Sequence, residues 1–341
     1  MRYNWIDYAK GMGILLMVFG HTGMPVVLSK FIWSFHMPLF FFISGLLYDR
    51  EKYSSPGLIL KRIWRSLLVP YMFFSVIVAV GYMCINIISH ESVFHEFSVV
   101  SVLSKGWGGI ALWFVSTLII TELLFWLLNA AGKRMILVGG GILLIMSYYA
   151  FMQGIHLPYE ADNLGMSLLF FSSGHLCKKQ VSDHQPEVTE SVSLIAITFV
   201  ASMFFEKLDI CSNGFGSGLP NIVIAFFGIM GILFLSKNLE SLATKTKSGR
   251  GGICSLPLGS LKYIGQNTII LVGLSQIYMM ILIAMFRHCD MPGYLSTIIR
   301  QSIMWMLLFL SILIFNAYVP RVIGKKERIS VTSQLKSLLQ I

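Results

Sequence analysis

The sequence carries little charge. Only 12% of its 341 residues are Asp, Glu, Lys or Arg, about half the share found in soluble domains. Hydrophobic residues make up 55% of the chain, and the mean hydropathy is +0.73. So few charges could not cover the surface of a water-soluble globule of this length. The composition therefore excludes a cytosolic enzyme, a secreted domain and a disordered chain.

The sequence also lacks the short motifs of common catalytic and metal centres. Its five cysteines lie far apart and form no CxxC pair, which excludes a zinc ribbon and a disulfide scaffold. Neither GxSxG nor HExxH occurs, so no serine-hydrolase elbow or zinc-hydrolase helix is indicated. We expect no metal ion and no permanently bound cofactor.

Long apolar runs dominate the chain instead. A helix that crosses a bilayer needs about 20 mostly apolar residues. Ten runs approach this length, at 6–24, 31–48, 66–87, 108–129, 134–152, 163–177, 190–206, 219–236, 265–286 and 296–318. They predict an all-α integral membrane protein, a bundle of about ten transmembrane helices, with a single domain over 1–341 and no appended soluble domain.

The basic residues predict how this bundle is oriented. The chain has 26 basic and 16 acidic residues, a net charge of +10. If the N-terminus is cytoplasmic and ten helices alternate, 21 of the 26 basic residues fall on the cytoplasmic side, as the positive-inside rule requires. Both termini are therefore predicted to be cytoplasmic. The excess positive charge is explained by topology, so no nucleic-acid partner is expected.

Five ionisable residues lie inside the predicted spans, where their burial is costly: Lys10, His21, His36, Glu122 and His175. Lys10 and His175 lie near cytoplasmic ends, where their polar tips can reach water. His21 lies about 16 Å along the first helix from Lys10. His36 lies at a similar depth on the returning second helix. Two imidazoles are thus predicted to meet in the outer half of the membrane.

Each of these residues also has a purely structural interpretation. A buried imidazole or carboxyl group needs a hydrogen-bond partner whatever its role, so His21, His36 and Glu122 could each be satisfied by a neighbouring helix. The cluster KRIWR, Lys61 to Arg65, could be a topology anchor. It could equally hold phosphates at the cytoplasmic mouth of a cavity.

Six segments, in order along the chain, resemble a known family. They are DYAKGMGILLMVFGH, FHMPLFFFISG, KRIWRSLLVPY, LWFVSTLIITEL, LLFFSSGHLCKK and IGQNTIILVGLSQ. The sequence is similar in these segments to the acyltransferase family 3 membrane proteins, and most similar to the fucose 4-O-acetylase-like branch. Two positions depart from the family: Lys10 stands where Arg is common, and Ser275 stands where many members carry a histidine.

The resemblance implies a membrane O-acyltransferase of the plasma (inner) membrane. Its donor would be cytoplasmic acetyl-CoA, and its acceptor a hydroxyl of a cell-surface glycan or its lipid-linked precursor, such as a polysaccharide or lipopolysaccharide O-antigen. Direct transfer and an acyl-histidine intermediate both remain open. The alternative is a polysaccharide exporter or another transporter, which a bundle with intramembrane histidines would also suit. Nothing in the sequence indicates the oligomeric state.

The resemblance also suggests a role for each candidate residue. His21 is the predicted general base, and His36 is its partner, which orients the acceptor or stabilises developing charge. The predicted ligands of the donor's phosphates are Lys10, Arg62 and Arg65. The predicted acceptor-binding residues are Trp113, which could stack on a sugar ring, and Glu122. We expect His21 and His36 to line one cavity that opens toward Arg62 or Arg65 through a polar channel.

Overall fold

The computed structural model describes residues 3–21, 25–89, 110–248, 255–287 and 293–339. These residues are almost entirely helical, and their one β-bridge joins Asp209 to Gly214. The α-helices are α1 (Asn4–Gly20), α2 (Val26–Leu47), α3 (Pro56–Ile63), α4 (Val69–Ser89), α5 (Trp113–Ala130), α6 (Lys133–Gln153), α7 (Leu164–Leu176), α8 (Lys178–Asp183), α9 (Val188–Phe204), α10 (Leu219–Ser248), α11 (Ser255–Gly265), α12 (Thr268–Met285), α13 (Gly293–Tyr318) and α14 (Val331–Leu339).

Each of the ten predicted spans coincides over most of its length with one of these helices. Seven helices in the described residues are long and apolar enough to cross a membrane: Val26–Leu47, Pro56–Ile85, Trp113–Ala130, Lys133–Gln153, Leu219–Lys245, Thr268–Met285 and Leu295–Tyr318. The helices in the other three predicted spans, α1, α7 and α9, have 17, 13 and 17 residues. The all-helical, multi-pass membrane fold is confirmed. The number of crossings and the cytoplasmic position of the termini stay predictions.

The largest differences from the predicted spans lie at helix ends. The first span was expected at 6–24, but α1 ends at Gly20. The expected start of the fourth span at Gly108 lies outside the described residues. At the third span, α3 is joined to α4 without a break by one π-helical turn at Trp64–Leu68. Pro70 lies two residues after the end of that turn, and a proline has no N–H to complete the regular helical ladder.

The helix that carries His36 lies at the centre of the bundle. Phe35, Phe41 and Phe42 of α2 are fully or almost fully buried. The backbone of α2 approaches that of α7 so closely that a Cβ atom on Gly45 would overlap the Phe171 carbonyl oxygen. Small residues permit such close helix contacts in membranes. This contact fixes the position and rotation of α2, and therefore of His36.

The connecting segments gather at two opposite ends of the bundle. His21, Ala111, His156 and Asp209, which come from four connections or helix ends, line one cavity at the end where α1 finishes. The KRIWR cluster lies toward the other end, where Arg62 contacts Glu122. The charge distribution predicts that the end with the cavity faces outward.

Candidate active site

A cavity of about 700 Å³ occupies the end of the bundle where α1 finishes and α2 begins. This volume is typical of small-molecule sites. Its walls are mainly apolar, with polar and aromatic groups converging on the space. The lining residues with groups suited to binding or proton transfer include His21, Trp33, His36, Trp113, Asp209 and Gln276.

Both histidines contact the Trp33 ring. The ring centroids of His21 and Trp33 are 5.5 Å apart, and those of Trp33 and His36 are 5.7 Å apart, both in edge-to-face arrangements. His21 directly follows the last residue of α1 and is exposed to the cavity space. His36 is only 2% exposed. The structure thus places both residues on one cavity, where the depth argument predicted them.

A backbone contact determines the tautomer of neutral His36. Its Nδ1 lies 2.9 Å from the Ile32 carbonyl oxygen. A carbonyl oxygen can only accept a hydrogen bond, so Nδ1 carries the hydrogen in this contact. The lone pair of the neutral ring is then on Nε2. His36 can therefore accept a hydrogen bond from a bound hydroxyl group.

The loop between α9 and α10, residues 205–218, forms one wall of the cavity and is held firmly. Asp209 and Gly214 exchange two backbone hydrogen bonds of 2.9 and 2.7 Å. Two buried amides tie the loop to its surroundings: Asn163 Nδ2 donates to the Ile210 carbonyl oxygen of the loop, and Asn213 Nδ2 of the loop donates to the Ser147 carbonyl oxygen, each at 2.9 Å. The loop is thus a fixed part of the site.

This loop presents two charges that the sequence analysis did not identify. The Asp209 side chain, half-buried on the cavity wall, makes no hydrogen bond or ion pair with any described residue. The Lys207 ammonium lies 4.2 Å from the centre of the Trp33 ring, a cation–π contact. An unpaired carboxylate beside two histidines and two tryptophans can accept hydrogen bonds from the hydroxyl groups of a ligand.

The predicted acceptor-binding residues on α5 lie in different surroundings. Trp113 lines the cavity. Glu122 lies about 13 Å farther along the helix, does not line the cavity, and binds the Arg62 guanidinium through Oε2. Of the residues with a predicted acceptor role, only Trp113 and His36 are therefore at the cavity. The predicted acceptor-binding role of Glu122 stays a prediction. In the structure its carboxylate is bound to Arg62.

The Arg62–Glu122 pair belongs to a packed aromatic cluster. The Arg62 guanidinium carbon lies 5.2 Å from the centre of the Tyr53 ring. The Trp126 indole nitrogen donates to the Tyr53 carbonyl oxygen at 2.8 Å. Glu122 is 0% exposed, whereas a quarter of the Arg62 side chain is accessible. In this region the two opposite charges form an ion pair, whereas Asp209 at the cavity forms none with the described residues.

The three predicted donor-binding cations do not line the cavity. Lys10 is half-buried in α1, and Arg65 is exposed at the π-helical turn. A polar channel was expected from the histidines to Arg62 or Arg65. The described residues that line the cavity form no such channel. Aromatic packing is the physical reason: the Phe114 ring lies 5.7 Å from that of Phe40 and 5.0 Å from that of Phe41.

Gln276 lies on the remaining side of the cavity. Its Oε1 accepts a hydrogen bond of 2.8 Å from the Ala111 backbone N–H, so its amide NH₂ group remains available as a donor. The neighbouring Ser275 is 2% exposed. Groups of three or more His, Cys, Asp or Glu side chains placed to hold a metal ion are not found among the described residues.

One of the comparisons with known proteins identifies the family. No curated protein and no solved structure matches the chain. The acyltransferase family 3 profile, described as an acyltransferase domain, matches residues 3–322. The match covers nearly the whole chain and includes every residue assigned above to the cavity and to the Arg62–Glu122 cluster. The chain therefore belongs to acyltransferase family 3 and is a membrane acyltransferase.

Proposed function

We propose that the protein is an O-acyltransferase that transfers an acetyl group from cytoplasmic acetyl-CoA to a hydroxyl of a cell-surface glycan or its lipid-linked precursor in the plasma membrane. The observation that carries this proposal is one cavity lined by His21, His36, Trp33 and Trp113. Aromatic faces suit sugar rings, and a neutral imidazole suits proton removal from a hydroxyl group.

In the proposed reaction His21 acts as the general base. Its imidazole takes the proton of the acceptor hydroxyl while the hydroxyl oxygen attacks the thioester carbonyl carbon. The carbon–sulfur bond then breaks, and the imidazolium returns the proton to the departing thiolate. His36 orients the acceptor, because its Nε2 lone pair can accept a hydrogen bond while Nδ1 is bound to Ile32.

The donor's phosphates are assigned to Lys10, Arg62 and Arg65. Arg65 is exposed, and only Nη1 of Arg62 contacts Glu122, which leaves other guanidinium N–H groups for a phosphate. For the thioester to reach His21, the contact of Phe114 with Phe40 and Phe41 must open. The proposal therefore includes a conformational step at this aromatic layer.

Mass analysis of surface glycan from cells with and without the gene tests the function. The proposal predicts that deletion removes acetyl groups from a polymer that is still made and exported in normal amount. Re-expression of the wild-type chain should restore the acetyl groups, and the His21→Ala variant should not. Loss of the whole polymer from the cell surface would instead identify an exporter and contradict the proposal.

A further inference from the structure

A second, smaller cavity adjoins His21, between α1, α12 and α13. Its volume is about 210 Å³. It shares two wall residues, His21 and Gln276, with the larger cavity. The remaining walls are apolar except for one serine: Val18, Ser275, Met279, Met280, Ile283 and Met304. His21 therefore borders two cavities, one larger and partly polar and the other small and mostly apolar.

One polar atom in this cavity has no partner. The Ser275 hydroxyl oxygen is buried and makes no hydrogen bond with any described residue. An unpaired buried hydroxyl costs free energy, so the Ser275 hydroxyl is available to donate a hydrogen bond to an oxygen of a bound molecule. The amide NH₂ group of Gln276 is also available, because its oxygen is bound to Ala111. Two donors thus lie on walls that border His21.

These walls match the chemistry of a thioester's acyl group, which has an apolar tail and one carbonyl oxygen. We propose that this small cavity binds the acyl group of the donor, an inference that rests on the proposed function. The tail lies among Met279, Met280 and Met304, and the carbonyl oxygen accepts hydrogen bonds from Ser275 and Gln276. These donors stabilise that oxygen when attack by the acceptor hydroxyl makes it negative. The acceptor approaches His21 from the larger cavity.

The size and polarity of the cavity define which acyl groups fit. Its volume corresponds to about seven water molecules in the liquid, more than an acetyl group fills, and methionine side chains adapt readily to ligand shape. Butyryl should therefore be accommodated as well as acetyl. Succinyl should be disfavoured, since none of the described lining residues is Lys or Arg and its carboxylate would be buried without a cationic partner.

Binding of coenzyme A and its thioesters to the purified full-length protein tests this assignment without knowledge of the acceptor. Isothermal titration gives the Kd of coenzyme A, acetyl-CoA, butyryl-CoA and succinyl-CoA. We expect butyryl-CoA to bind more tightly than acetyl-CoA, by about fourfold for each methylene buried. Succinyl-CoA should bind no more tightly than coenzyme A itself.

Two methionine variants in one helix locate the effect. Met304→Ala enlarges the cavity, because Met304 is buried on its wall. Met306→Ala is the matched control, because Met306 is 56% exposed and does not line the cavity. The ratio of the Kd for butyryl-CoA to that for hexanoyl-CoA should rise several-fold in Met304→Ala and stay at the wild-type value in Met306→Ala. A general loss of stability cancels in this ratio.

The outcomes separate this inference from the function on which it rests. Binding of coenzyme A with the same Kd for every acyl group would overturn the acyl cavity and leave the proposed function standing. The same conclusion follows if Met304→Ala and Met306→Ala have identical acyl preferences. Failure of coenzyme A and all its thioesters to bind would overturn the assignment of the donor, and the acyl cavity with it.

Discussion

The cavity around His21 and the cluster around Arg62 are two polar regions of one apolar bundle. They differ in whether their ionisable side chains are paired with one another. In the cluster, Glu122 is fully buried and bound to Arg62. In the cavity, His21 and Asp209 face open space, and Asp209 has no partner among the described residues. The opposite charges of Glu122 Oε2 and Arg62 Nη1 offset each other, whereas unpaired groups around a cavity are available to a ligand. The comparison therefore assigns acyl transfer to the cavity and, beside the proposed contact of Arg62 with the donor, support of the fold to the pair.

The strongest test of the chemical assignment is His21→Ala. Loss of a general base lowers the rate by about 10²–10⁴-fold, while the protein level and membrane insertion should stay normal. Acetyl transfer in membranes with matched protein content measures the effect. His184→Ala is the control, because this histidine is exposed, binds Glu190 and lies away from the cavity. Activity above about a tenth of wild type in His21→Ala would exclude the role.

Removal of one partner tests whether the cluster is structural. Glu122→Leu leaves the half-buried Arg62 guanidinium without its partner, so the free energy of unfolding should fall by about 3 kcal/mol. Unfolding in detergent measures this change. The double variant Arg62→Leu, Glu122→Leu should recover most of the loss, because it removes both charges. Equal stability of Glu122→Leu and wild type would show that the pair does not support the fold.

Asp209→Asn tests the unpaired carboxylate of the cavity. Because the Asp209 carboxylate has no protein partner among the described residues, its neutralisation should change the free energy of unfolding by less than about 0.5 kcal/mol. Loss of a hydrogen bond from a ligand hydroxyl to a charged group should raise the KM for the acceptor about tenfold. Steady-state kinetics and unfolding on the same preparation separate the two effects. A large loss of stability would place Asp209 with the structural charges.

The smallest expected effect concerns Lys10. If its ammonium binds a donor phosphate, Lys10→Ala should raise the KM for acetyl-CoA several-fold, about 1 kcal/mol, with kcat little changed. Lys10→Arg should be tolerated, because it keeps the positive charge. The KM of each variant, measured at saturating acceptor, is the relevant quantity. An unchanged KM in Lys10→Ala would leave Lys10 as a residue whose tip reaches the membrane surface.

The sequence alone was sufficient to predict properties that depend on distance along a helix. The rise per residue placed His21 and His36 at matching depths on adjacent helices, and both line one cavity. Apolar runs located a helix in every predicted span. These properties need no knowledge of how the helices are arranged side by side.

Lateral contacts could not be obtained in this way. The approach of Arg62 to Glu122 depends on which helices are neighbours, and no hydrophobic pattern specifies that. Asp209 and Lys207 lie in a loop without regular periodicity, and their position depends on the amide anchors of Asn163 and Asn213. The unexpected aromatic barrier at Phe114 likewise arises from packing between α2 and α5.

Selective labelling at the rim of the cavity tests the central claim, that acyl transfer takes place there. Ser212 is exposed and lines the cavity, whereas Ser333 is exposed on α14 and does not line it. Ser212→Cys and Ser333→Cys, each in a background without the five native cysteines, are labelled with a bulky maleimide in detergent. The activity of each variant before labelling is its own reference. We predict that complete labelling abolishes acyl transfer in Ser212→Cys and leaves it in Ser333→Cys. Full activity in completely labelled Ser212→Cys would contradict the account.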